Sequence, residues 1–119
     1  MVEKEYTWHK LAESIEALQF SESGFAEMEI AGKKICIVQY KDQLYACAAT
    51  CPHAGGNMAN GYTDAIGNIV CPVHRYKFSL QQGRNTSGEG YFLKTYPLQT
   101  RPDGVFIGFE ANNLFNWMK

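Results

Sequence analysis

The stretch CPHAGGNMANGYTDAIGNIVCPVHRYKF, residues 51–78, decides how this sequence is read. It opens with Cys51-Pro52-His53 and carries Cys71-Pro72-Val73-His74 near its end, with seventeen residues between His53 and Cys71. Each short cluster offers one thiolate and one imidazole, the two side chains that bind borderline and soft transition metals through S and N. A Cys-x-His or Cys-x-x-His step lets a tight loop turn both side chains toward one point. Proline after each Cys fixes φ near −65° and removes a backbone donor, which stiffens the loop. Two such loops facing each other would hold a single ion with Cys2His2 ligation. Equally, they would hold a binuclear cluster with both thiolates on one iron and both imidazoles on the other.

The pattern around the ligands carries a specific resemblance. Cys51-x-His53-x4-Met58-x2-Gly61, followed by Cys71-Pro72-x-His74-x3-Phe78-x4-Gly83, resembles the two binding boxes of Rieske [2Fe–2S] proteins, in which two His replace two Cys on one iron. The likeness runs over roughly residues 6–109 and is closest to small soluble Rieske ferredoxins of ring-hydroxylating oxygenase systems. Met58 stands where that pattern usually has Leu, a swap of similar volume. The resemblance implies one [2Fe–2S] cluster on Cys51, His53, Cys71 and His74. It also implies an all-β, Rieske-type fold of three stacked antiparallel sheets, with a cluster-binding subdomain, about residues 49–83, made by two loops at one end.

Departures from another branch of the family are informative. Rieske proteins of cytochrome bc-type complexes carry an extra Cys in each box, and the pair forms a disulfide. Gly56 and Val73 hold those places here, so that bridge cannot form. A Ser and a Tyr that donate hydrogen bonds near the sulfurs are replaced by Tyr76 and Phe78. Fewer donors leave the reduced, more negative cluster less stabilised. The expectation is a low potential, near the bottom of a range of roughly −150 to +300 mV, with the Tyr76 hydroxyl the one group that could restore a bond. A further expectation is a potential that falls with pH in the alkaline range, as reduction raises the proton affinity of the imidazoles.

Composition sets outer bounds. At 119 residues, 45% hydrophobic and 19% charged, the chain predicts one soluble globular domain, residues 1–119, large enough for a core without staples. A formal net charge of −1 gives no support to nucleic-acid or polybasic membrane binding. No apolar run approaches the ~20 residues that span a bilayer, and the polar start Met1-Val2-Glu3-Lys4-Glu5 lacks the apolar stretch of a signal peptide. The expected compartment is the cytoplasm.

Along the chain, short strands alternate with turn residues, which argues an all-β sandwich or barrel. Strands are predicted at 6–11 with Trp8 a core anchor, at 25–30 with Met28 and Ile30 on one face, at 34–40 and at 44–48. A turn of helix is predicted within 12–18, capped by Ser14. The 34–48 run reads as a hairpin around Lys41-Asp42. A two-residue loop there would set Cys36 opposite Cys47, whereas other registers separate them, and no glycine fixes the turn type. Both thiols read as buried, reduced small hydrophobes. Gly55, Gly56, Asn57, Asn60 and Gly61 mark backbone close to the cluster. Residues 64–71 read as a hairpin running into the second box, and 76–80 as a strand leaving it. The tract Asn85-Thr-Ser-Gly-Glu-Gly90 is expected beside the second box. Closing strands are predicted at 93–100, with Pro97 at an edge or bend, and at 104–109. A short helix docking Leu114, Phe115, Trp117 and Met118 is predicted over 110–119. His9 reads as a surface or packing residue, and Arg75 and Lys77 as a solvated strand start or a border of the docking face.

The function implied is electron transfer without bond chemistry: a carrier taking single electrons from a reductase to a terminal acceptor, an aromatic-ring-hydroxylating oxygenase, through transient protein contacts. The small subunit of an assimilatory NAD(P)H nitrite reductase resembles the same fold. Members of that group often lack one or more of the four ligands, all present here. Structural zinc is the third reading, weakened because zinc modules more often space ligands as Cys-x2–4-Cys and His-x3–5-His. No Gly-x-Gly-x-x-Gly for a dinucleotide occurs, and the length leaves no room for a mononuclear-iron catalytic domain.

Overall fold

The middle of the molecule is a run that never meets water. A computed structural model describes residues 5–52 and 55–110. Its strands are β1 Tyr6–Ala12, β2 Phe25–Ile30, β3 Lys33–Tyr40, β4 Gln43–Ala48, β5 Tyr62–Thr63, β6 Asn68–Val70, β7 Lys77–Ser79, β8 Thr95–Tyr96, β9 Leu98–Arg101 and β10 Gly104–Glu110. They form three antiparallel sheets, β1-β10-β9, β2-β3-β4-β8 and β5-β6-β7. The all-β, stacked-sheet expectation holds.

Strand β3 explains why the second sheet lies between the other two. Ile35, Cys36, Ile37 and Val38 are all fully buried, and side chains alternate faces along a strand. Ile35 and Ile37 pack with Leu18, Ala26, Ala46, Ile107 and Phe109, reaching the first sheet. Cys36 and Val38 pack with Cys51, Met58, Ile69, Cys71 and Phe78, reaching the third. A strand with both faces covered reads as a continuous apolar run. A one-residue slip would exchange the two cores.

That slip is blocked by turns. Tyr40 pairs with Gln43 across a two-residue loop in which Lys41 and Asp42 have φ of 49° and 64°, the left-handed pair of a type I′ turn. No glycine is used, and the register puts Cys36 opposite Cys47. The preceding hairpin turns on Ala31 and Gly32, with φ of 52° and 81°.

Three expectations need amendment, and a fourth lies almost wholly outside the described residues. Trp8 is half-buried on the outer sheet: its ring lies against Gly108 and Tyr6, with the Arg101 guanidinium 5.4 Å from its centroid. The helical turn is a 3-10 turn over Ile15–Ala17, and the Ser14 side chain makes no capping bond. The single closing strand at 93–100 is two strands, because at Pro97 the chain leaves β8 in the middle sheet and enters β9 in the outer one. The helix predicted over 110–119 begins with Glu110, which ends β10, and its remaining residues lie outside the described ones. Among the described residues, no helix is long and apolar enough to cross a membrane.

Candidate metal centre

Two loops on the opposite side of the middle sheet from β10 are built on one backbone plan. After β4, the Cys51 N–H donates to the Gly56 carbonyl at 2.8 Å and the Gly55 N–H donates to the Cys51 carbonyl at 3.0 Å. After β6, the Cys71 N–H donates to the Tyr76 carbonyl at 2.9 Å and the Arg75 N–H to the Cys71 carbonyl at 3.0 Å. Each Cys therefore anchors both ends of its loop. The residue four positions on is left-handed in both: Gly55 with φ 71° and Arg75 with φ 60°.

The loops meet face to face. Cys51 and Cys71 are buried, at 2% and 1% exposure, and neither is in a disulfide. Both belong to one buried cluster. Burial, with the neighbouring Cys51 thiol, pushes the Cys71 thiol above its ordinary range, while the N–H groups of Val73 and His74 are aimed at its sulfur and pull the other way. Those amides are donors suited to an anionic, metal-bound sulfur. A Cβ on Gly56 would lie 3.3 Å from the Cys71 sulfur and 2.4 Å from Val73 Cγ2. The two positions that hold bridging cysteines in bc-type proteins are thus in direct contact, and Val73 takes up the space.

His74 stands exposed at the rim, its ring 6.2 Å from that of Tyr76, which stacks on Tyr91 at 6.0 Å. His53 lies outside the described residues. The Tyr76 hydroxyl is held above its ordinary pKa by loss of solvent, then by the Glu89 carboxylate, Tyr91 and Cys51. Glu89 belongs to the tract 85–90, which does fold beside the second loop. Asn85 pins it, accepting from the Gly90 N–H at 2.9 Å and from the Glu89 N–H, and donating to the Lys77 carbonyl at 3.0 Å. The Lys77 N–H donates to Ser87 Oγ at 2.9 Å. Only the turn composition of this tract hinted at a wall for the site. Neither Asn85 nor Tyr91 stands out in the sequence.

Behind the second loop, Asp64 accepts from the Ile66 and Asn68 N–H groups, each at 3.0 Å, and from Asn68 Nδ2 at 2.9 Å, with Lys77 Nζ 3.9 Å away. Loss of solvent alone would raise its pKa. The Asn68 and Ile66 hydrogen bonds and the Lys77 charge outweigh that and bring it below the ordinary value. Asp64 shapes the β5–β6 turn, and His9, packed 5.0 Å from the Phe109 ring, is structural as expected.

Two buried sulfurs in one cluster, with the His74 imidazole at the exposed rim, are compatible with a binuclear centre whose thiolates and imidazoles serve different irons.

The pattern of the Rieske [2Fe-2S] domain matches residues 7–97. The chain belongs to the Rieske [2Fe-2S] domain family. A curated relative, the ferredoxin component of the alkene monooxygenase system of Xanthobacter autotrophicus, is 23% identical over 82 residues, covering 69% of this chain and 67% of the relative. Among solved structures, the ferredoxin of carbazole 1,9a-dioxygenase from Nocardioides aromaticivorans aligns with a TM-score of 0.72 at 20% identity, covering 85% of this chain and 96% of that one. A Mycobacterium tuberculosis protein described as an NADH-dependent nitrite reductase small subunit aligns with a TM-score of 0.76 at 17% identity, covering 89% and 97%. At these identities the structures establish the fold. Membership of the Rieske family implies a Rieske-type [2Fe–2S] cluster as the cofactor.

Proposed function

We propose that this protein is a Rieske-type ferredoxin in which Cys51 and Cys71 hold one iron of the cluster and His53 and His74 the other, within a single domain. In this reading it carries single electrons in the cytoplasm from a reductase to a terminal oxygenase. The observation that carries the reading is the pair of matched loops that bring two buried sulfurs together while leaving His74 at the surface. Such a cluster takes up and releases one electron. The chain's part is to exclude water from the sulfur side and to present the imidazole edge to a partner. Val73 and His74 N–H groups hold charge at the Cys71 sulfur. Phe78, fully buried, has no hydroxyl to add to them. This supports a potential toward the lower end of a range of roughly −150 to +300 mV. Docking on so narrow a tip fits a small, transient interface of less than about 1,200 Å².

The test is an optical and low-temperature EPR spectrum before and after dithionite, with metal analysis. The expected result is about two irons and two sulfides per chain, with the average g below 2 in the reduced state, and loss of both metal and signal in Cys51→Ala and Cys71→Ala. A colourless protein with one zinc would overturn it. The structural likeness to the nitrite reductase small subunit supports a second reading of the partner. Reduced protein passing electrons to a nitrite reductase large subunit and not to a ring-hydroxylating oxygenase would establish that one.

A further inference from the structure

Two thiols lie outside the ligand set. Cys36 and Cys47 are directly opposed on β3 and β4, at 0% and 3% exposure, and neither is in a disulfide. Their place in the ladder follows from neighbouring bonds. The Gln39 N–H donates away from β4, to the Gly24 carbonyl, and the Ala48 N–H donates away from β3, to the Lys94 carbonyl. Backbone groups alternate sides along a strand, so those of Cys36 and Cys47 face each other as a hydrogen-bonded pair. Such pairs have Cα atoms about 5.5 Å apart, inside the roughly 4.4–6.8 Å that a disulfide spans. Both side chains leave the same face, into one buried core.

We propose that Cys36 and Cys47 are a reversible redox site, a dithiol that closes to a cross-strand disulfide under a peroxide and is reopened by a small thiol. One thiol reacts with the peroxide O–O bond to give a sulfenic acid and water or alcohol. The second sulfur, already adjacent, attacks the sulfenic sulfur, forms the S–S bond and releases water. The peroxide is reduced by two electrons and the dithiol is oxidised by two.

Geometry sets how the pair behaves. Directly opposed Cβ atoms lie about 4.5–5.5 Å apart, at the far end for hydrogen-bonded pairs, whereas a disulfide prefers about 3.5–4.5 Å. Closure therefore draws the strands together, and the strained bond is readily reduced, as a switch requires and a structural staple does not. Burial makes the thiols slow to react. Their weak point is the far edge of β4, where β8 supplies only Thr95 and Tyr96 opposite Cys47 and Ala46. The pair shares its buried core with Cys51 and Cys71, and Cys47 is four residues from the first ligand. The strand drawn inward by closure is the one that positions the first ligand loop.

The test treats iron-loaded protein with hydrogen peroxide, quenches with N-ethylmaleimide in denaturant and maps the peptides. Trypsin separates residues 35–41, holding Cys36, from 42–75, holding Cys47, Cys51 and Cys71. The expected product is a linked pair of these peptides, with fragmentation placing the bond at Cys47 and maleimide on Cys51 and Cys71. Incubation with reduced glutathione should restore all four alkylated thiols. Cys36→Ser and Cys47→Ser, which keep the metal-ligand set, should abolish the linked species. If either variant fails to fold, the mapping of unaltered protein still decides. The proposal is overturned if Cys36 and Cys47 are both alkylated or converted to sulfinic acids once the ligand cysteines have been oxidised, or if the bond found is Cys51–Cys71.

Discussion

The two ligand loops share a hydrogen-bond plan but are stiffened by different means. The first relies on glycine: Gly55 takes the left-handed position, Gly56 leaves room for Val73, and Gly61 passes so near β6 that a Cβ would sit 2.0 Å from the Val70 carbonyl oxygen. The second puts Arg75 in the left-handed position and relies on what surrounds it, namely the Asp64 turn, the Asn85-pinned wall and the Tyr76–Tyr91 stack. One loop is shaped by missing side chains and the other by present ones. Substitutions should therefore damage them in different ways.

The largest effect is expected at Gly61→Ala. The atom met is backbone and cannot swing aside, so the loss should reach about 3–4 kcal/mol, in the upper range for single substitutions. Denaturant unfolding of the purified protein would measure it, and a loss below ~1 kcal/mol would mean that the first loop yields more than its geometry implies. Gly56→Ala is different because it meets a side chain, Val73 Cγ2. Overpacking of that kind costs about 1–3 kcal/mol. The double variant Gly56→Ala/Val73→Ala should recover most of it, read as a coupling energy in a double-mutant cycle. Additive losses would show that the loops do not bear on each other.

The second loop should instead respond to acid. The Asp64 pKa is lower in the folded chain than its ordinary 3.8. Its contribution is therefore whole above that value and is lost as pH falls through the lower, folded-state value. Wild-type stability should drop below about pH 4 more steeply than that of Asp64→Asn. The same variant should lose about 1 kcal/mol at neutral pH through weakened hydrogen bonds. Parallel acid curves would remove Asp64 from the account. The smallest effects are paired and opposite in sign. Gly55→Ala meets nothing within 4 Å but must adopt φ near 71°, a loss of about 1 kcal/mol. Arg75→Gly relieves the same conformation and should gain about 0.5 kcal/mol after glycine's entropy is set against it. Thermal unfolding of the two variants side by side would measure both.

How legible these features were depends on the range of the cause. The β3–β4 hairpin and the β6 approach to Cys71 follow from local pattern and are legible in the sequence, whereas the Cys36–Cys47 register stays open there until the Lys41-Asp42 turn is seen to be a two-residue one. The two Cys-Pro steps announced a ligand pair because few other roles call for such residues at such spacing. Trp8 was misjudged because an aromatic in an amphipathic strand looks the same whether a neighbouring sheet covers it or an arginine does. Pro97 marks an edge or bend in the sequence, but nothing local says that the two halves join different sheets. Asn85 and Tyr91 act through contacts made only once the chain has folded back, and a polar loop residue carries no mark of what it will hold.

The pairing of Tyr6 with Glu110 sets an order of assembly. Every other sheet partner is near in the chain or already emerged when β8 appears, so the middle sheet and both ligand loops are complete in sequence by Tyr96. The outer sheet has to wait for β10, and long-range strand closure is the slow part of folding. The middle sheet and both ligand loops can therefore pair within residues 25–96, while the outer sheet joins strands from the two ends of the described chain.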